Sequence, residues 1–502
     1  MKKRTMLFNI SILAVLILLL SACASATPIA TEPSTTVSAT ATQTSTNSQT
    51  STSQVSAAPT GGNPPSGALP NGSPPSGSPP SGNPPSGSSG STSSNQGLST
   101  ATGAYTLDGQ TASETDQTYT ASEQDQSAVY VINGGNLTLD NVTINTSGNS
   151  SSNDNSSFYG LNAAVLATSG STIKLADSSV STTGSGANGV FATGEGSSVS
   201  LSNVTINATG GGGHGVMATQ GGSMNLTNVD ITTAGANSAS IATDRGGGTI
   251  TSSGGTVTSS GADSPCLYST GRLVSTNLTC IATGSESVVI EGANSITLTV
   301  SSLTSSIEDK WGVMIYQSMS GDAQGTEGEF NMTGGSLTNS ASSGPLFFVT
   351  NTTAYINLSA VRLSAGSGVL VQVAGTDRWG TSGSNGGTVN LTADKQTLTG
   401  NLVADSISNL TISLENGSTL EGTINAEHSA KSANITLDKT SSWTVTADSY
   451  ITCLNDADGI SGTTMTNIIG NGHTVYYNAS ACSALGGQTY TLVGGGYLKP
   501  AG

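Results

Sequence analysis

Two of the three tryptophans stand in short stretches that interrupt an otherwise repetitive text. Extra residues enter at Ile307–Trp311, Ser318–Phe330 and Ala374–Gly387, and they bring Glu308, Asp309, Lys310, Trp311, Asp322, Glu327, Glu329, Asp377, Arg378 and Trp379. Only 9% of the chain is charged and 4% aromatic, so these segments hold a large share of its big polar side chains. Flat indole faces suit stacking, and carboxylates with a guanidinium fix the orientation of a bound molecule. Trp311, Tyr316, Gln317, Asp322, Asp377, Arg378 and Trp379 are therefore the candidate binding residues. The competing structural reading has both indoles covering coil surface and Arg378 paired with Asp377.

A second set is a column recurring along the repeat: Thr168, Thr193, Thr219, Thr243, Thr270, Glu291, Gln317, Thr350 and Gln372. The residue two before each is apolar (Leu166, Phe191, Met217, Ile241, Tyr268, Val289, Ile315, Phe348, Leu370). Parity of two then points the column inward, as a hydrogen-bonded ladder inside the coil. The alternative is an outward polar stripe, in which Glu291 and nearby Asp244 contact a cation or a sugar. Enzyme signatures are missing. Gly213-His214-Gly215 resembles a polygalacturonase element, but there is no Asp-Asp pair, and His214 reads as a turn residue in Gly210–Gly213. Nor is there a motif for the clustered acids and proton-abstracting base of a pectate lyase. Glycosidase chemistry wants paired carboxylates, which stacked coils could supply without a motif to announce them.

The elements that must position these residues are short strands. Val199-Ser-Leu201 with Val204-Thr-Ile206 recurs 25 residues later as Met224-Asn-Leu226 with Val229-Asp-Ile231. A second phrase, Val165-Leu-Ala-Thr, Val190-Phe-Ala-Thr and Val216-Met-Ala-Thr, keeps the same period. Alternating apolar residues between Gly, Asn and Ser mean half-buried strands and tight turns. So short a period excludes propeller blades, and no leucine-rich consensus is present. The expected fold is all-β: a single-stranded, right-handed parallel β-helix with about 21–27 residues per coil, some 16 coils and a length near 75 Å. The body spans 101–500, with a cap from about Trp443.

Gly reaches 65 residues, a composition that suits a thin solenoid core better than a deep globular one. The net charge is −17, and loss of the leader leaves 10 basic against 30 acidic residues, a net of −20. That excludes nucleic acid as a partner and admits Ca2+ and neutral sugars; no other cofactor is expected. Of five cysteines, Cys266, Cys280, Cys453 and Cys482 lie in the body. Cys266–Cys280 and Cys453–Cys482 are the sequence-near pairings among three connectivities.

Residues 1–23 read as an export signal: Lys2, Lys3 and Arg4, an apolar run from Ile10 to Leu20, then Leu20-Ser-Ala-Cys23. The last four residues resemble the lipobox of bacterial lipoproteins, which implies lipidation at Cys23 and a membrane anchor. Residues 24–100, with the repeated Pro-Pro-Ser-Gly, read as a disordered stalk, about 50 Å end to end as a coil and on the order of 200 Å extended.

Phe158-Tyr-Gly-Leu-Asn-Ala-Ala-Val165, Ile241-Ala-Thr-Asp-Arg-Gly246, Ser264-Pro-Cys-Leu-Tyr-Ser-Thr270 and Asp377-Arg-Trp-Gly-Thr-Ser-Gly-Ser-Asn-Gly-Gly387 carry a resemblance. From Ser127 to Pro500 the chain is similar to bacterial adhesin-like β-helix surface lipoproteins, whose fold is pectate-lyase-like without the catalytic motif. The resemblance implies a surface location and no reaction. The expectation is a non-enzymatic adhesion or carbohydrate-binding protein at the cell surface, with a polysaccharide or a glycan of a host or neighbouring cell as partner. The alternatives are a polysaccharide lyase or glycoside hydrolase, and a structural envelope spacer.

Overall fold

The computed structural model describes residues 101–502. The export signal, Cys23 and the stalk lie outside the described residues. Within them the chain is a parallel β-solenoid of about 16 turns with almost no helix. The repeat becomes vertical register: Val190 pairs with Val165 and Val216 with Val190 on one side, while Val199 pairs with Ile173 and Met224 with Val199 on another. Three sheets of 12, 14 and 10 strands take every third strand in turn, and a 9-stranded sheet follows at the C-terminal end.

One continuous core runs along the interior from Leu107 to Leu498. Its members are the alternate residues of each strand, such as Leu137 and Leu139 or Ile412 and Leu414, all fully buried. Each contributes about 1.5–3 kcal/mol on burial, and a single coil offers it nothing to pack on. Stacking is therefore what stabilises the fold.

The corners are set by backbone chemistry. Asn141, Asp177, Asn203, Asn228 and Asn277 adopt positive φ at equivalent corners, and Asn203 Nδ2 donates to Asp177 Oδ1 at 2.9 Å in the coil below. Asn and Asp tolerate this left-handed region better than most residues, which explains their punctuation of the repeat. Another corner brings Gly148, Gly184, Gly210, Gly235 and Gly261 into backbone contact, so that a Cβ on Gly210 would run into the carbonyl oxygen of Gly184.

Disulfides join Cys266 to Cys280 and Cys453 to Cys482. Near the end Trp443 is fully buried and donates from Nε1 to the Gly422 carbonyl at 3.0 Å. The last strand, Tyr497–Pro500, pairs in parallel with Thr474–Tyr477 and antiparallel with Tyr490–Val493, a departure from the coil pattern.

Two expectations about the interruptions need correction. The segment beginning at Ser318 ends before Glu327, because Glu327–Thr333 is a strand and Phe330 is fully buried in the core. A further interruption precedes Val165. It carries the helix Asn153–Tyr159, capped by the Ser152 side chain and ended by Gly160 in the left-handed conformation. Its signal was present: a Ser N-cap, Asp154 in the first turn and a Gly stop.

Candidate functional site

The middle strands of the 12-stranded sheet are buried on both faces. Val165, Ala167, Val190, Ala192, Val216 and Ala218 belong to the interior core. The residues between them, Leu166, Phe191 and Met217, form a separate apolar cluster with Leu161, Ala163 and Ala239. Further along, Val289, Met314 and Phe348 cluster with Trp379. These strands read as nearly unbroken apolar runs because both faces are covered. The helix Asn153–Tyr159 and the interrupting segments supply the outer cover.

Most of the Thr column consequently lies on the outer face, against its expected inward direction; Thr243, which shares the interior face with Ile241, points inward as expected. The outer members do share a face with the apolar residues two before them, as parity demanded, but that face is the covered exterior. The column's membership also changes. Thr219 pairs with Thr193, whereas Thr243 pairs with Ala218, so Asp244 takes the column place after Thr219. Glu291 pairs with Tyr316 and Tyr316 with Thr350, which displaces Gln317, and Gln372 pairs with Phe348. The true column is Thr168, Thr193, Thr219, Asp244, Thr270, Glu291, Tyr316 and Thr350. Part of it ties the cover down: Thr219 Oγ1 lies 2.8 Å from the Phe158 carbonyl and 2.9 Å from Thr193 Oγ1.

Between these covers opens a cleft of about 310 Å³, whose lining includes His214, Asp244, Tyr268, Glu286, Lys310, Tyr316, Arg378 and Trp379. Three of the seven candidate binding residues therefore meet there: Tyr316, Arg378 and Trp379. Trp379 packs against Tyr316 with ring centroids 4.8 Å apart, and Arg378 lies over the indole at 4.9 Å. Asn385, buried beneath this segment, donates to the carbonyls of Thr376 at 2.5 Å and Trp379 at 2.6 Å, which fixes its path. The other four do not line the cleft. Trp311 stacks on Phe348 at 4.2 Å and 11°, covering the sheet. Gln317 is buried and bonds Gly325 O at 2.6 Å. Asp322 pairs with Arg245 at 2.7 Å, and Arg245 in turn lies 3.7 Å above the Phe158 ring, linking segment to helix. Asp377 is exposed and separate from Arg378's stacking partner.

The electrostatics follow from burial. Asp244 is pushed up to about 8, first by desolvation and then by Asp322, with Glu291 adding to it and Arg245 opposing. Its Oδ1 accepts the Arg245 backbone N–H at 2.7 Å. Glu291 sits behind the wall and accepts from the phenols of Tyr268 and Tyr316, each at 2.7 Å, and from Ser318. Desolvation and the Glu291 charge push both phenols well above their ordinary range. His214 is brought down to about 4 by desolvation, against an opposing backbone hydrogen bond at Ala239. It is a buried wall residue, not the turn residue expected from its glycine neighbours. Lys310 forms an ion pair with Asp263 and lies 3.8 Å from Glu286.

Among the described residues, no group of three or more His, Cys, Asp or Glu is arranged to hold a metal ion. His214, Glu286, Arg245, Asn385 and the helix were missed as site elements. The helix had a local signal in its Ser cap and Gly stop, and His214 stood in a Gly-His-Gly, but only register could have brought Glu286, Arg245 and Asn385 to the site.

No family model matches the sequence, no curated protein matches it, and no solved structure matches the fold.

Proposed function

We propose that this chain is a non-enzymatic carbohydrate-binding protein that serves adhesion at the cell surface, carried on a lipid-anchored stalk through Cys23. The observation that carries the reading is the cleft: aromatic rings of Trp379, Tyr316 and Tyr268 beside carboxyl, imidazole and guanidinium groups in one small concavity. Rings contact the C–H faces of a sugar while polar groups bond its hydroxyls, the usual division of labour in a ligand site. The volume is at the small end of ligand sites, roughly 300–1,000 Å³, and suits a short stretch of chain.

The two tryptophans separate this reading from simple surface cover. Trp379→Ala is expected to weaken glycan binding by about tenfold, the loss of one well-packed aromatic contact. Trp311→Ala, which removes a ring stacked on Phe348 outside the cleft, leaves binding unchanged. Calorimetry on the purified full chain with a panel of oligosaccharides reads both. Equal effects, or none, would remove the cleft from the account and favour an envelope spacer.

A second reading, a glycoside hydrolase, is favoured by one observation. Asp244 retains its proton near neutral pH, as a general acid must. New reducing ends on incubation with glycans, abolished by Asp244→Asn, would establish it over the binding-only view.

A further inference from the structure

We infer that the cleft takes an uncharged sugar unit that donates hydroxyl hydrogen bonds, and excludes uronates and other anionic sugars. This rests on the carbohydrate-binding reading and narrows it to a ligand class.

Two side chains of the lining, each more than nine-tenths buried, hold a polar atom with no hydrogen-bond partner in the protein: His214 Nδ1 and Glu286 Oε1. Glu286 Oε1 is a pure acceptor as a carboxylate oxygen, and an imidazole nitrogen accepts or donates according to tautomer, so a hydroxyl, which does both, suits either atom. Glu286 already accepts from Ser285 at 2.6 Å through its other oxygen. A buried polar atom left without a partner is unfavourable, and a ligand hydroxyl would satisfy it. Neutral sugars carry such hydroxyls; a carboxylate or sulfate has no proton to give.

The charges point the same way. Asp263 and Glu286 both line the cleft, beside Asp244, which burial holds largely uncharged. Lys310, the ammonium among them, is engaged by Asp263 and lies near Glu286. Arg378, the other cation of the lining, is exposed and occupied with the Trp379 face. An anionic sugar entering would meet carboxyl groups inside and find no free cation deep in the cleft. Its desolvation would go unmatched.

The test uses the full chain in detergent and calorimetric titration with neutral hexasaccharides of glucose, xylose and mannose, and with hexagalacturonate. The expected result is binding of at least one neutral chain and none of hexagalacturonate. His214→Phe keeps an aromatic ring but loses the unpartnered ring nitrogen, and weakens the neutral ligand by about tenfold. Should that variant not fold, Glu286→Gln is the second measure: it lowers the repulsion, and hexagalacturonate gains affinity relative to the native chain. Native protein that binds hexagalacturonate as tightly as neutral chains overturns the ligand class but leaves the carbohydrate reading intact. Retention of no glycan at all overturns that reading and this inference with it.

Discussion

At the scale of single residues, the buried titratable groups of the cleft oppose one another. His214 falls to about 4 in the folded chain from an ordinary value near 6.5, so between those limits the unfolded chain binds more protons. Its contribution to stability is complete above the upper limit and is lost as pH falls toward the lower one. Asp244 rises to about 8 from 3.8, so here the folded chain binds more protons. Its contribution is complete at acid pH and is lost as pH rises through the folded value. The two slopes cancel between about 4 and 6.5, and Asp244 acts alone between 6.5 and 8. The expected outcome is a decline of roughly 2 kcal/mol over that upper window, from one proton per pH unit. Thermal unfolding followed against pH should show it, and Asp244→Asn should flatten the alkaline limb. An unchanged limb in that variant would mean that Asp244 is ionised in the folded state. Glu308, lowered to about 2 by hydrogen bonds from Ser342 and Ser343, acts only at more acid pH.

Elements were read best where each strand has one wet face. The phrases around Leu201 and Leu226 alternate cleanly because their outward residues are Ser, Asn and Thr, and their predicted strands are those observed. The 12-stranded sheet was harder. Its Val-Phe-Ala-Thr and Val-Met-Ala-Thr phrases are apolar on both sides, so parity could say which residues share a face but not which face is inside. Register was lost where coil length changes, at Thr243 and Gln317, and the site residues there moved by one position. Half of the cleft was consequently invisible: no local pattern says that His214, Glu286 and Tyr316 come from coils that stack together. The glycine corner, by contrast, is a consequence of stacking that a single substitution can probe. Gly210→Ala puts a methyl into the Gly184 carbonyl and must force two coils apart. A loss of about 1–3 kcal/mol is expected, comparable to overpacking a core. Denaturant titration measures it, and a variant of native stability would mean that the corner is looser than the contacts indicate.

For the molecule as a whole, length and composition were decisive because a chain poor in large side chains can bury apolar surface economically only by repeating a thin coil. The solenoid then fixes where function can reside. Three sheets supply regular surfaces, and the cleft lies where the helix Asn153–Tyr159 and the segments before Glu327 and after Val373 leave the outer face of the 12-stranded sheet partly open. The binding proposed for that cleft needs no moving part. Its walls are held by the Asn385 and Thr219 hydrogen bonds and by the Arg245–Asp322 pair, which is partly exposed and worth little by itself. Hydrogen exchange of the full chain with and without a bound neutral hexasaccharide reports most directly on where binding occurs. Protection is expected at Gly213–Gly215, Ser285–Ser287 and Thr376–Gly387, with the outward strands of the 14-stranded sheet unaffected. Protection confined to that sheet, with none at the three cleft segments, would contradict the account.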